Sequence, residues 1–254
     1  MSAIKIGVQL FSVREELADN LEETMKKLSE MGYEGVEFFG EPPAAPEKLK
    51  ELLEENNLEC CGWHFWGDYI DLKDDKKLAG VLDLYKTIGN DNLIISSVPE
   101  KYRGTAEGWR EIARDFNEIA VELTKHDINL GYHNHDFEFE TTEGQTPWNI
   151  LFDNTDPEIM MQLDTGNAYK GGGDVVEIIK QYALRAKTIH LKPYSKQKGF
   201  KTMIGEDDTP WEEIFQICQE AGNTEWYIIE YESDVYEPLV SVEKCINKTK
   251  EILN

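Results

Sequence analysis

Eight times along this chain a short apolar run, rich in β-branched and aromatic residues, gives way to a longer stretch with apolar residues at helical spacing. Few folds use that rhythm. Strand patterns cover residues 3–10, 33–40, 58–64, 91–97, 128–136, 158–164, 187–192 and 226–230. Helical patterns answer them over 15–31, 46–57, 72–88, 105–125, 147–152 and 175–184, then from 209 onward, and over 238–253. In the first of these, Leu17, Leu21, Met25 and Leu28 fall on one face with charges opposite, and Gly32 stands where a C-cap glycine belongs. Asp174 is placed to N-cap its helix, and Thr209-Pro210-Trp211-Glu212 reads as a capping box with Pro at N1. Eight strand–helix pairs in 254 residues are the count and length of an α/β fold of the single (β/α)8 TIM-barrel type. A doubly wound sheet is the competitor, but no Gly-rich dinucleotide turn follows the first strand. Nothing resembles a linker or a low-complexity segment, so one domain over 1–254 is expected.

Charge narrows the partners. With 26 Lys+Arg against 50 Asp+Glu, the net charge of -24 repels nucleic-acid backbones and anionic membranes. Cys60, Cys61, Cys218 and Cys245 show no C-x-x-C spacing and read as buried thiols, not as a zinc knuckle or disulfide framework. The opening Met1-Ser2-Ala3-Ile4-Lys5 enters a strand pattern at once, without a signal-peptide pattern, and no apolar run reaches membrane-spanning length. A cytoplasmic enzyme acting on a small molecule is the expectation, with no nucleic acid and no membrane as partner; a homodimer is compatible with it.

In such barrels the chemistry sits where strands end. Those positions hold Gln9, Glu37, His64, His133 with His135, Asp164, His190 with Lys192, and Glu230. The fourth strand ends only in Ser96 and Ser97. Alternation puts Gly131, His133 and His135 on one face and Tyr132, Asn134 and Asp136 on the other. Each polar residue alone has a bland reading, as a loop-edge group or cap. Their convergence on one rim does not, because stability alone requires no ionisable groups there. A histidine of the fifth strand, Asp164, His190 and Glu230 offer nitrogen and oxygen donors without thiolate, a set that suits Mn²⁺, Zn²⁺, Co²⁺ or Fe²⁺ better than a structural zinc. Trp63, Phe65 and Trp66 either stack on a sugar face or pack under a loop. Gly171-Gly172-Gly173-Asp174 is either a phosphate cradle or, more economically, a turn ending in an N-cap.

The stretches Gly7-Val8-Gln9-Leu10-Phe11-Ser12-Val13-Arg14, Gly131-Tyr132-His133-Asn134-His135-Asp136-Phe137-Glu138-Phe139, Gln162-Leu163-Asp164-Thr165-Gly166-Asn167 and His190-Leu191-Lys192 resemble the sugar phosphate isomerase/epimerase family of xylose isomerase-like TIM barrels. The resemblance runs over nearly the whole chain. It implies one divalent metal ion held by the ends of strands five to eight, with Asp164, His190 and Glu230 matching the ligands on the last three. The fifth-strand ligand of the family is usually a glutamate. Here His133 occupies that place in the preferred alignment, with His135 and Glu138 as alternatives. The family's histidine three residues after the sixth-strand aspartate is replaced by Asn167.

The resemblance also implies chemistry. In the ketose epimerases of the superfamily two metal-bound glutamates exchange protons beside a carbonyl; here only Glu230 keeps that role unsubstituted. Glu230, His135 and Lys192 are the expected catalytic residues, and Gln9, Glu37, His64 and Asn167 the expected substrate contacts. The leading expectation is an isomerase or epimerase acting on a sugar, keto-sugar or cyclitol. The alternatives are a dehydratase (lyase) on a keto-sugar or inosose, or a sugar-binding barrel without catalysis. A phosphodiesterase like the apurinic endonucleases is disfavoured by five histidines in all and by the negative charge.

Overall fold

The computed structural model describes residues 4–253. Among them eight parallel strands close in sequence order: β1 Lys5–Gln9, β2 Gly35–Phe39, β3 Glu59–Phe65, β4 Asn92–Ile95, β5 Asn129–His133, β6 Met160–Asp164, β7 Thr188–Leu191 and β8 Trp226–Ile229. The ring is completed by β8 pairing with β1, Trp226 opposite Lys5. This is the (β/α)8 barrel that the alternation predicts. Ala3, read as the start of the first strand, lies outside the described residues.

The outward faces of the strands meet the helices in the main core. Tyr132 on β5, for example, packs against Trp109 and Phe116 of the helix Ala106–Thr124 and against Trp148 of the helix Pro147–Asp153. Such aromatic burial supplies much of the barrel's stability. The four cysteines are buried and free. No described helix is long and apolar enough to cross a membrane.

Several boundaries differ from the sequence patterns, each for a local reason. The stretch 15–31 is two helices, Arg14–Asp19 and Leu21–Glu30, because Asn20 is extended and its side chain accepts from the Glu23 N–H as an N-cap. Residues 72–88 are likewise divided, at Asp74, which caps the helix Asp75–Ile88. The expected capping box at Thr209 does not form: the helix begins at Trp211, and Pro210 takes the cap position with no side-chain cap bond. Two short helices went unread, Glu100–Arg103 and Thr165–Lys170, the latter starting directly from the last residue of β6. The glycine run before Asp174 is a turn, not a phosphate cradle: Asp174 caps the Glu177 N–H, and a Cβ on Gly171 would stand 2.2 Å from the Asp136 carbonyl oxygen.

Two features inside the barrel position the site. The register between β2 and β3 slips after Val36, so that Glu37 lies opposite Gly62 where strict pairing would set Cys61. This bulge inserts one residue and reverses the phase of the rest of β3, turning His64 inward. At the opposite end, the Trp226 indole fills the floor. A Cβ on Gly35 would lie 2.6 Å from its ring and one on Gly7 2.9 Å from Cys61 Sγ, so both glycines are needed for the indole and thiol to meet. Trp226, Cys61 and Ile228 form a small apolar cluster of their own.

Candidate functional site

Above that floor the barrel axis turns polar. Gln162, inward on β6, donates from its amide nitrogen to Glu37 Oε1 at 2.7 Å and to Thr188 Oγ1 at 3.0 Å. Its Oε1 therefore faces His64 Nε2 at 2.8 Å and His133 Nδ1 at 3.0 Å, and both ring nitrogens must donate. A neutral His133 with its proton on Nδ1 has a free lone pair on Nε2, which lies 3.8 Å from Asp164 Oδ2. Burial holds His133 well below its ordinary value, with the neighbouring His190 and His64 adding to the effect, so the ring is neutral.

Glu37 is fully buried and receives Gln9 Nε2 at 2.7 Å, His190 Nε2 at 2.6 Å and His64 Nε2 at 3.0 Å on one oxygen. Burial alone raises its carboxyl, but the two histidines outweigh that and hold it ionised. His190 also contacts Glu230 Oε2 through Nδ1 at 2.6 Å. Burial pulls that ring down, and the two carboxylates push it up to about 10. Lys192 reaches Glu230 Oε1 at 2.9 Å, Glu232 Oε1 at 2.6 Å and Asp164 Oδ2 at 3.7 Å. Asp164 is oriented by the helix that starts from it: the Asn167 N–H donates to Oδ1 at 2.7 Å and its amide to Oδ2 at 3.0 Å. Burial raises the Asp164 carboxyl, partly offset by Lys192.

One ligand atom from each of His133, Asp164, His190 and Glu230 lies within 4.8 Å of the other three. Four donors of two nitrogens and two oxygens on neighbouring strands suit a divalent ion: bonds of about 2.0–2.2 Å set ligand atoms at most about 4.4 Å apart, so only a slight tightening of the cluster would be needed. The surroundings fit as well. Gln162 orients His133, and Glu37 backs His190 in the carboxylate–histidine arrangement that supports metal ligands. To hold an ion, His190 would have to give up its extra proton, and the ion's charge would then replace that proton in neutralising Glu230 and Asp164. A second group, His64, His133 and His190, meets the same distance limit. His64 Nε2, however, is committed to Gln162 and Glu37.

The cluster underlies a cavity of about 840 Å³ at the C-terminal mouth, lined by Gln9, His64, His133, His135, Asn167, Lys192, Glu230 and Glu232 among others. The structure thus gathers nearly every strand-end residue singled out in the sequence. Glu37, an expected substrate contact, lies fully buried beneath the cavity and not on its wall, as do Asp164 and His190. Glu138, an alternative fifth-strand ligand, faces the other way, accepting from Tyr132 OH at 2.6 Å and from the His135 N–H at 2.9 Å. His135 lines the cavity and stacks on Phe137 at 5.9 Å, and its buried Nδ1 has no hydrogen-bond partner among the described residues. Burial pushes its ring down to about 4. Phe65 and Trp66 line the mouth, while Trp63 points outward and stacks on Phe38. Gln162 and Glu232 were not found by sequence reasoning; each lies two residues from a recognised one on the same face, a signal that alternation alone provides.

The inosose dehydratase of Clostridium perfringens is 24% identical to this chain over 93% of it and 91% of its own length. Among solved structures, a sugar phosphate isomerase/epimerase from Parabacteroides distasonis, 22% identical, aligns with a TM-score of 0.85 over 100% of this chain and 96% of that one. An IOLI protein solved with a bound zinc atom, 12% identical, gives 0.72 over 98% and 96%. The family model of the xylose isomerase-like TIM barrel matches residues 25–251. The chain belongs to the xylose isomerase-like TIM barrel family.

Proposed function

We propose that the protein is a metal-dependent enzyme that isomerises or epimerises a sugar, keto-sugar or cyclitol, starting with removal of the proton beside a carbonyl. The observation that carries this reading is the meeting of His133, Asp164, His190 and Glu230 within 4.8 Å at the base of the mouth cavity. A divalent ion bound there supplies Lewis acidity toward a carbonyl and its neighbouring hydroxyl, which lowers the pKa of the C–H between them. His135, neutral at pH 7 because burial pushes it down to about 4, lines the cavity with no hydrogen-bond partner on Nδ1 among the described residues, and is the first base. Glu230, the residue after β8, is the second base. Lys192 stays charged: burial pulls it down, but Glu230, Asp164 and Glu232 push it well up. It steadies the oxyanion that proton removal leaves. Gln9, His64 and Asn167 offer hydrogen bonds to hydroxyls.

A dehydration is the second reading, and one observation favours it. Burial and the adjoining Glu230 push Glu232 up to about 7, so near neutral pH it still carries a proton to give to a departing hydroxyl. The curated relative named inosose dehydratase supports the same branch.

Deuterium distinguishes these. With Mn²⁺ and a panel of ketoses and ketocyclitols in D₂O, a substrate should take up deuterium beside its carbonyl, read by NMR; dehydration should instead remove that C–H and one hydroxyl together. A substrate that turns over with neither change points to hydride transfer and ends both readings.

A further inference from the structure

We infer that the β4–β5 side of the mouth is a receptor for an anionic group on the substrate, a carboxylate or a phosphate, with Arg103 as its main contact. This rests on the proposed function, which the cavity's opposite side serves. Among the described residues the cavity is lined by two permanent cations, Arg103 and Lys192. Lys192 is consumed by Glu230, Glu232 and Asp164. Arg103 makes no ion pair with any described residue, an unusual state for a guanidinium in a chain of net charge -24.

Its pose is fixed nonetheless. Nε and Nη2 donate to the Val98 carbonyl at 2.8 and 2.6 Å, and Nη2 reaches Ser97 Oγ at 3.3 Å. The guanidinium lies over the Phe137 ring at 4.1 Å, and His135 stacks on the same ring at 5.9 Å. One edge is therefore anchored to the backbone, while Nη1 has no acceptor among the described residues. Ser96 and Ser97 line the cavity beside it and add hydroxyl donors. Glu138, a buried acid behind the wall, is committed to Tyr132 and the His135 N–H. A pre-oriented guanidinium with donors to spare is matched to a carboxylate or phosphate oxygen, and such charge-assisted bonds are about twice as strong as neutral ones. The two sides of the cavity thus differ in kind. The carbonyl end of the substrate belongs over the β5–β8 cluster, and the acidic end beside β4.

Three probes test this on the full-length, Mn²⁺-loaded protein by calorimetry: D-fructose, D-fructose 6-phosphate and 5-keto-D-gluconate. At least one anion should bind roughly tenfold or more tighter than the neutral ketose, and the one that does identifies the group. Arg103→Gln should bring that ratio to near one. Arg103→Lys, which keeps charge and loses the fork, should leave part of it. Equal binding of all three probes by the wild type overturns the inference, whatever the variants do. So does an unchanged ratio in Arg103→Gln, which would place the anion elsewhere. The isotope experiment is independent: a ratio that holds without deuterium uptake by any substrate leaves the anion receptor standing and removes the proposed chemistry.

Discussion

Glu138 shows how one buried carboxyl ties site geometry to pH. Burial pushes it from the ordinary 4.5 up to about 7, against the pull of the Tyr132 hydroxyl and two backbone N–H groups. Between those values the folded protein keeps a proton that the unfolded chain has released, so stability falls as pH rises through this window and levels off above it. Between pH 5.5 and 8 the loss is about 2 kcal/mol. Glu138→Gln, which holds no titrating proton, should gain that much on the wild type across the same interval in urea unfolding. Parallel pH curves for the two proteins would show that Glu138 titrates normally. The fate of this residue also marks what the sequence makes legible. On paper His133 is the preferred ligand, with His135 and Glu138 left as alternatives because spacing cannot say where the strand ends. In the structure β5 stops at His133, and a turn carries Glu138 to the outer face, toward Tyr132. Gln162 escaped notice for another reason, although alternation sets it on the inward face with Asp164. An uncharged amide becomes notable only when closure brings Glu37, His64, His133 and Thr188 around it.

At the scale of elements the informative case is β3. Its strand character is plain from sequence, but simple alternation from the inward Cys61 would point His64 outward. The bulge opposite Glu37 corrects the phase, and Gly62 makes it feasible: a Cβ there would sit 2.6 Å from Glu37 Oε1. That carboxylate has no room to retreat, since Gln9, Gln162, His64 and His190 all hold it. Gly62→Ala should therefore cost about 1–3 kcal/mol in urea unfolding, the range of overpacked cores, and weaken metal retention through His190. A variant within 0.5 kcal/mol of wild type would mean that the bulge is soft. Helix ends were legible where a side chain does the capping, as at Asp174, and misread at Thr209, where Pro210 intervenes. Cap preference depends on backbone angles that a motif does not fix.

For the molecule as a whole, the proposed ligands come from β5, β6, β7 and the residue after β8, so an ion bound there would tie half of the barrel together and bind the folded chain alone. Zn²⁺ or Mn²⁺ at about 100 times its dissociation constant should stabilise the fold by about 2.7 kcal/mol. In a chain of this size that raises the melting temperature by roughly 5–10 °C. Asp164→Ala should abolish the rise, and an equal rise in that variant would put the ion elsewhere. The closed ring itself was the most legible property of the chain, because eight repeats of one pattern leave few other topologies. What the pattern concealed is that the ring has only one usable opening. With the Trp226 indole wedged between Gly35 and Cys61, the barrel is a cul-de-sac. In the proposed reaction substrate, product and exchanging solvent would share one doorway, so each turnover would end in a queue: what was made must back out past Phe65 and Trp66 before anything new can come in.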